Sequence, residues 1–182
     1  MARKTFFDRK DLLLKSCEYV KKYGIKVLNA RDLCKFIGCS TQPLFKNFIS
    51  MEELKNEIKN LLDEQYRNFV DKIVDKNNYL YSMSYAYAMF ALKEPNSFIT
   101  LFVSDLNGSR SVEDVINSSW NRECIESIPK QYDMNLSEAE NLYRDVRFYT
   151  HGLACQIAAT TIKVNEDEIA KLIYNVIEKL KR

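Results

Sequence analysis

The chain has 182 residues, of which 46% are hydrophobic and 29% charged, the usual balance of a globular protein with a buried core. Glycine occurs only four times and proline three, too few for the turns of an all-β fold, so the composition predicts an all-α protein. No stretch approaches the roughly 18 consecutive apolar residues of a membrane span, and no signal-peptide pattern opens the chain, so we expect a cytoplasmic protein without membrane contact.

Charge is distributed unevenly along the chain. Residues 1–60 hold 13 Lys and Arg against 7 Asp and Glu, a net charge of +6, whereas the other 122 residues hold 14 against 18, a net of −4. This split predicts a basic head that binds double-stranded DNA, joined to a body that does not, because neutralised phosphates supply much of the affinity for DNA. The alternative is that the lysines only solvate exposed helix faces.

The first predicted helix begins after Asp8 and ends at Gly24. Asp8 is a suitable N-cap, and Phe7 and Leu12 flank it as a hydrophobic staple. The helix is expected to bury Leu13, Cys17 and Val20.

Two short helices with a tight turn follow. Asn29 caps a helix over about 30–37, Gly38 supplies the positive φ that commonly ends a helix, and Ser40 caps a second helix over about 41–47. The apolar residues expected to form the shared core are Leu33, Phe36, Ile37, Leu44, Phe45 and Phe48.

Next, Ser50 and Glu53 form an S-x-x-E capping box, with Ile49 and Leu54 as its staple. This pattern predicts a long helix from Met51 to about 75. The predicted domains are a helix-turn-helix head, residues 1–50, and a body, residues 51–182, and the long helix connects them.

The second short helix has a polar face made of Thr41, Gln42, Lys46 and Asn47. Helix-turn-helix proteins place such N-terminal residues of their second helix against base edges in the major groove. An ordinary helical hairpin with a polar face remains the alternative.

In the body, patterns predict a helix over 79–92, a short one from Pro95 through Val103, one capped by Ser111 that Pro129 ends or kinks, one over 136–162, and a last one capped by Asn165. Nine helices are therefore expected. The last carries an apolar stripe of Ile169, Ile173, Val176 and Leu180, widened by Leu172 and Ile177.

The head resembles TetR-type transcriptional regulators. The matching segments are Gly24, Arg31-Asp32-Leu33-Cys34, Gly38-Cys39-Ser40, Leu44-Phe45, Asn47-Phe48 and Ser50-Met51-Glu52-Glu53-Leu54. Three positions depart from the family pattern, since Phe45 replaces a common Tyr, Asn47 a common His, and Met51 a Lys that commonly contacts the DNA backbone. The expected DNA-binding residues are Arg3, Lys4, Arg31, Ser40, Thr41, Gln42, Phe45, Lys46, Asn47 and Lys55.

The body resembles one group of these regulators in two segments, YAMFALKEPNSF (87–98) and YTHGLA (149–154). The second segment contains His151, and Thr150 stands there in place of the group's Trp. The resemblance implies a homodimer formed by the helices at 136–162 and 166–181, bound to a palindromic operator. Packing of these helices on their own body is the alternative.

Aromatic and sulfur-containing side chains are concentrated in the body, where they are suited to bind a small apolar or aromatic effector. The same residues would also serve as ordinary core. The candidates are Tyr85, Met89, Phe102, Trp120, Cys124, Phe148, Tyr149 and His151.

The five cysteines are widely spaced and only one histidine is present, so we expect reduced thiols, no metal and no cofactor. A thiol sensor at Cys39, Cys124 or Cys155 is an alternative. An enzyme is disfavoured because the sequence has no nucleophile motif, metal spacing or phosphate loop.

The sequence therefore predicts a DNA-binding repressor that a small effector releases from its operator. The alternative is a ligandless DNA-binding or adaptor protein regulated by a protein partner.

Overall fold

The computed structural model describes residues 7–108 and 111–181, and these ranges contain α-helices, short 3-10 turns and no strand, which confirms the all-α prediction. The helices are α1 (Arg9–Tyr23), α2 (Ala30–Ile37), α3 (Thr41–Asn47), α4 (Met51–Asp71), α5 (Tyr79–Lys93), α6 (Pro95–Phe102), α7 (Val112–Ile116), α8 (Ser119–Tyr132), α9 (Leu136–Ala158) and α10 (Glu166–Leu180).

The head, residues 7–50, owes its helix boundaries to local caps. Asn29 Oδ1 accepts a hydrogen bond from the Asp32 backbone N–H at 3.0 Å, and Gly38 ends α2 in the left-handed conformation with φ 82°. Because these signals act within one turn, α2 has the predicted bounds. Helix α3 also has its predicted bounds, although the Ser40 side chain makes no capping hydrogen bond. The fully buried side chains that hold the first four helices together are Leu12, Val20, Leu33, Leu44 and Leu54.

Two predicted core residues of the head are instead largely exposed. Phe36 is 38% exposed and packs edge-on against Tyr19, with 5.4 Å between ring centroids, while Phe45 is 49% exposed. Successive residues of a helix are rotated by about 100° around its axis. Because α2 buries Leu33 and α3 buries Leu44, the rings of Phe36 and Phe45 point away from the core. Leu13 is likewise only half-buried.

The start of α4 confirms half of the predicted capping box. Ser50 Oγ accepts from the Glu53 N–H at 3.1 Å, but the Glu53 carboxylate accepts from the N–H of Ile49, one residue earlier than predicted. The predicted staple is wrong, because Ile49 is 92% exposed whereas Leu54 is buried. Contact with Arg9 holds the Glu53 carboxylate in this position.

Arg9, in the first turn of α1, connects three helices. Its guanidinium donates to the backbone carbonyl of Asn47 at the end of α3, and to Glu53 at 2.7 Å and Glu57 on α4. The Arg9 Cζ also lies 4.4 Å from the centre of the Phe48 ring. These hydrogen bonds raise the pKa of Arg9, and the Arg9 bond lowers the pKa of Glu53, so both groups stay charged and hold α3 in place.

In the body, α5 is central and packs against α4, α6, α8, α9 and α10. The helix predicted after Ser111 is two helices, so the described ranges hold ten rather than nine. Asn121 Nδ2 donates to the Val115 carbonyl at 2.5 Å, which satisfies the end of α7 and stabilises the break. Pro129 lies inside α8 and does not end it.

Two other helix ends differ from the predictions. The connecting helix α4 ends at Asp71 rather than at about 75. The Asp75 N–H instead donates a hydrogen bond of 3.0 Å to the Ser82 hydroxyl on α5. Helix α9 ends at Ala158 rather than 162, because Thr160 has a positive φ of 56°. The Asn165 capping box that starts α10 is confirmed.

Head and body contact each other through α1 and α6 as well as through α4. Asn96 Nδ2 on α6 donates to the Lys21 carbonyl on α1 at 2.9 Å, and Lys21 Nζ lies 3.4 Å from Glu94. Movement of α6 therefore acts directly on the head.

Replacing Arg9 with Met should loosen α3, because the side chain keeps its apolar contact with Phe48 but loses its bonds to three partners. We expect a lower denaturation midpoint and faster hydrogen exchange of the amides at 44–48. Lys10→Met removes the same charge from the neighbouring exposed residue and is the matched control. Equal exchange rates in the two variants would show that Arg9 does not hold α3.

Replacing Gly38 with Ala should destabilise the fold by about 1 kcal/mol, since an L side chain is strained at this positive φ although the surrounding space is open. Gly38→Asn should cost less, because Asn tolerates the left-handed conformation. Urea denaturation measures both values, and an Ala variant no weaker than the Asn variant contradicts the explanation.

Candidate DNA-binding surface and body cavity

Five of the ten residues predicted to contact DNA are exposed in or next to α3. Ser40, Thr41 and Gln42 lie at its N-terminal end, whereas Phe45 and Lys46 lie toward its C-terminal end. The Ser40 backbone occupies the N-cap position, but its hydroxyl makes no capping hydrogen bond, contrary to the sequence expectation. The hydroxyl is therefore not committed to the first turn of α3.

The other predicted contact residues have different positions. Arg31 on α2 is exposed, whereas Lys55 on α4 is half-buried. Asn47 is also half-buried, and its Nδ2 donates to the Pro43 carbonyl at 2.8 Å, so its amide is engaged within its own helix. Arg3 and Lys4 lie outside the described residues.

Ile49 adds an apolar residue to this surface that the sequence reasoning missed. It follows α3 directly and is 92% exposed, close in sequence to the half-exposed ring of Phe45. The staple pattern predicted its burial, so only the three-dimensional arrangement reveals it.

A cavity of about 190 Å³ lies in the body between α4, α5, α8 and α9. Its aromatic wall centres on Tyr66 of α4, whose ring centroid lies 4.9 Å from that of Phe102, 5.7 Å from Trp120 and 6.2 Å from Tyr87. A second cavity, of about 150 Å³, shares part of this wall. The residues lining both cavities are Tyr87, Phe102, Val115 and Arg147.

Arg147 of α9 brings a positive charge to this aromatic wall. Its Cζ lies 4.0 Å from the centre of the Tyr87 ring, while Nη1 is excluded from solvent and has no hydrogen-bond partner in the described chain. Burial alone lowers the pKa of Arg147, but the hydroxyls of Tyr87, Tyr143 and Tyr66 outweigh it and raise the pKa, so the guanidinium remains charged. Thr150 Oγ1, one turn along α9, is also buried without a partner.

His151 is satisfied by its neighbours. The Tyr87 hydroxyl lies 2.9 Å from Nδ1, and Cys155 Sγ lies 3.5 Å from Nε2. Burial, assisted by the nearby Arg147 charge, lowers the pKa of His151, so the imidazole is neutral at physiological pH. A neutral ring fits a Tyr87 hydroxyl that donates to Nδ1.

The cavities contain four of the residues predicted to bind a ligand. Phe102 and Trp120 line the larger cavity, and Phe102, Phe148 and His151 the smaller. The remaining candidates lie outside both cavities. Tyr85 stacks on Tyr81 with 6.1 Å between centroids, Met89 and Cys124 are buried in the core, and Tyr149 is 40% exposed on the outside of α9.

Sequence reasoning missed Tyr66, Tyr87, Tyr143, Arg147 and Thr150 as cavity residues. A signal for three of them is present on α9, where Tyr143, Arg147 and Thr150 recur at i, i+4 and i+7 and so share one face. A cation on a face that is otherwise apolar indicates a buried charge.

The cysteines are free thiols, and those of the body are poorly suited to redox sensing. Burial raises the pKa of Cys124 to about 12 and also raises that of Cys155, which suppresses the reactive thiolate. Within residues 7–108 and 111–181, no group of three or more His, Cys, Asp or Glu side chains is arranged to hold a metal ion. None of the helices in these ranges has both the length and the apolar composition needed to cross a bilayer.

Comparison of the sequence with family models and with curated proteins finds no match. Two solved structures are similar in fold. One is a TetR variant from Acinetobacter baumannii AYE in complex with minocycline, with 13% identity over 96% of this chain and 94% of that one, and a TM-score of 0.58. The other, a proposed transcriptional regulator from Pseudomonas aeruginosa PAO1, has 12% identity over 95% and 89% of the two chains and a TM-score of 0.62. The chain therefore has the fold of TetR-type transcriptional regulators, as the head motifs predicted.

Proposed function

We propose that the protein is a TetR-type repressor, a homodimer that binds a palindromic operator and is released by a small effector. The observation that carries the proposal is the position of α4, which begins just after the exposed helix α3 and brings Tyr66 into the wall of the body cavity.

The head supplies the DNA-binding surface. Helix α3 exposes hydroxyl and amide groups on Thr41 and Gln42 at its N-terminal end, and the ammonium group of Lys46 in its last turn. These groups are able to contact base edges and phosphates, and the net positive charge of the first 60 residues favours an anionic partner. The exposed apolar side chains of Phe45 and Ile49 are suited to contact DNA sugars or thymine methyl groups.

The body supplies the effector site, and two helices connect it to the head. Helix α4 brings Tyr66 to the cavity, while α6 brings Phe102 to the cavity and Asn96 to the head. A ligand that repositions these rings would alter the placement of α3. The effect requires the ligand to bind the DNA-bound and released states unequally. The similar TetR variant, solved in complex with minocycline, supports a small-molecule effector.

The outer face of α9 supplies a surface for a second copy of the chain. Phe148 is 53% and Tyr149 40% exposed, and a side chain added at Gly152 would meet nothing within 4 Å in its own chain. Glycine inside a helix costs about 1 kcal/mol relative to alanine, which is explicable if a partner helix approaches there. On α10, Ile169, Ile173 and Ile177 are buried within the chain, while Tyr174 and Leu180 remain exposed for the partner.

Lys46→Ala tests the DNA-binding surface. We expect weaker binding to short random-sequence duplexes, and a salt dependence whose slope falls by about one if Lys46 neutralises one phosphate. Lys130→Ala, at an exposed position on α8, removes the same charge from the body and should leave the slope unchanged. An unchanged slope for Lys46→Ala excludes the phosphate contact, and failure of the unaltered protein to bind any duplex at low salt refutes the proposed function.

Gly152→Trp tests the dimer. A bulky side chain between paired α9 helices should shift the protein from dimer to monomer in sedimentation equilibrium, without loss of helicity, because the space in the single chain is open. Lys130→Trp, at an exposed site on α8, is the control. If the Gly152 variant dimerises as well as the control, α9 does not form the interface.

A further inference from the structure

We propose that the effector is an organic anion, with a carboxylate or similar group that binds Arg147 and Thr150 and an aromatic or other apolar part that occupies the cavity. This inference rests on the proposed effector-binding role of the body and adds the chemical class of the ligand.

The first argument is the state of the Arg147 charge. The polar groups near the guanidinium include Tyr87, which hydrogen-bonds it and whose ring lies 4.0 Å from Cζ, and the hydroxyls of Tyr66 and Tyr143. The neutral His151 is a further neighbour. No carboxylate of the described chain is among these neighbours, and Nη1 has neither solvent contact nor a hydrogen-bond partner. The Arg147 side chain as a whole is half-buried, with Nη1 its solvent-excluded atom. A partly desolvated cation without a counter-ion is costly, and an anionic ligand would remove that cost.

Arg67, the other arginine of the same cavity, shows the contrast. Its Nε donates to Asp63 at 2.8 Å, and its Cζ lies 5.1 Å from the Trp120 ring. Arg67 is more than half exposed and is paired within the chain, so it has less need of an anion. The unpaired charge is therefore specific to Arg147.

Thr150 is the second argument. A threonine hydroxyl inside a helix usually donates to the carbonyl four residues earlier, but Thr150 Oγ1 is fully buried and has no partner in the described chain. Arg147 and Thr150 are three residues apart on α9 and both line the larger cavity. Two unsatisfied donors on one helix face are suited to the two oxygens of a carboxylate.

The remaining wall sets the size and polarity of the rest of the ligand. Tyr66, Phe102 and Trp120 provide apolar surface in the same cavity as the two donors. The cavity volume of about 190 Å³ is larger than the roughly 150 Å³ that suffices for benzene. A single ring bearing one acid therefore fits the existing space, whereas two fused rings require part of the wall to move.

The test compares 2-naphthoate with its neutral amide, 2-naphthamide, by calorimetry on the full chain. We expect the unaltered protein to prefer the carboxylate by about tenfold or more, the usual contribution of a charge-assisted hydrogen bond. Arg147→Met keeps the apolar stem and should abolish that preference. Arg144→Met is the matched control on the same helix, where the arginine pairs with Asp145 at the surface, and it should preserve the preference.

Thermal denaturation provides a second readout. Because the Arg147 charge lacks an internal counter-ion, Arg147→Met should melt at the same or a higher temperature than the unaltered protein. A large fall in melting temperature would show that the guanidinium is a structural group and would overturn the proposal. Equal affinity for naphthoate and naphthamide, or no binding of either together with no stabilisation by benzoate, phenylacetate or decanoate, would also overturn it.

Duplex binding measured on the same preparations separates this inference from the proposed function. If naphthoate binds through Arg147 but no duplex binds, the anion site stands and the repressor role fails. If duplexes bind and no carboxylate does, the repressor role stands and the anion site fails.

Discussion

The packing of Tyr66 against four other aromatic rings is the interaction on which the arrangement of this protein depends. Its ring lies within 4.9–6.2 Å of Tyr87 and Phe90 on α5, Phe102 on α6 and Trp120 on α8. Tyr66 itself belongs to α4, an uninterrupted helix whose first residue, Met51, lies about 22 Å away along the axis and adjoins the end of α3. Since a helix transmits displacement as a nearly rigid rod, the cavity wall and α3 cannot be placed independently.

Several residues stabilise the folded chain less than ordinary capping, burial or pairing would, and they lie on the surfaces that we propose bind a partner. The Ser40 hydroxyl does not cap α3, Ile49 is exposed, and Arg147 Nη1 is buried with no hydrogen-bond partner in the described chain. Each departs from the arrangement that would stabilise the isolated chain. Such local conflicts are expected where a surface serves a partner rather than the fold.

The sequence predicts what local chemistry determines. The bounds of α2 and the capping box of α10 depend on groups within one turn of each other. The break between α7 and α8 was not predictable in this way, because it depends on the Asn121 bond to Val115. For the cavity, composition identified Trp120 and Phe102, which line it, but could not distinguish them from Met89, which is buried in the core. All three side chains are apolar, and the packing of separate helices determines which of them line the cavity.

The small size of the cavity has a consequence for control. Its rings already contact one another, so a bicyclic ligand would enter by displacing part of the wall rather than by filling a large empty chamber. Packed interiors resist continuous deformation and change between discrete arrangements. If the ligand-free packing around Tyr66 is the one that suits DNA binding, then a ligand that requires another packing necessarily binds the two states unequally. That inequality is the thermodynamic requirement for release, and here it follows from the lack of spare volume around Tyr66.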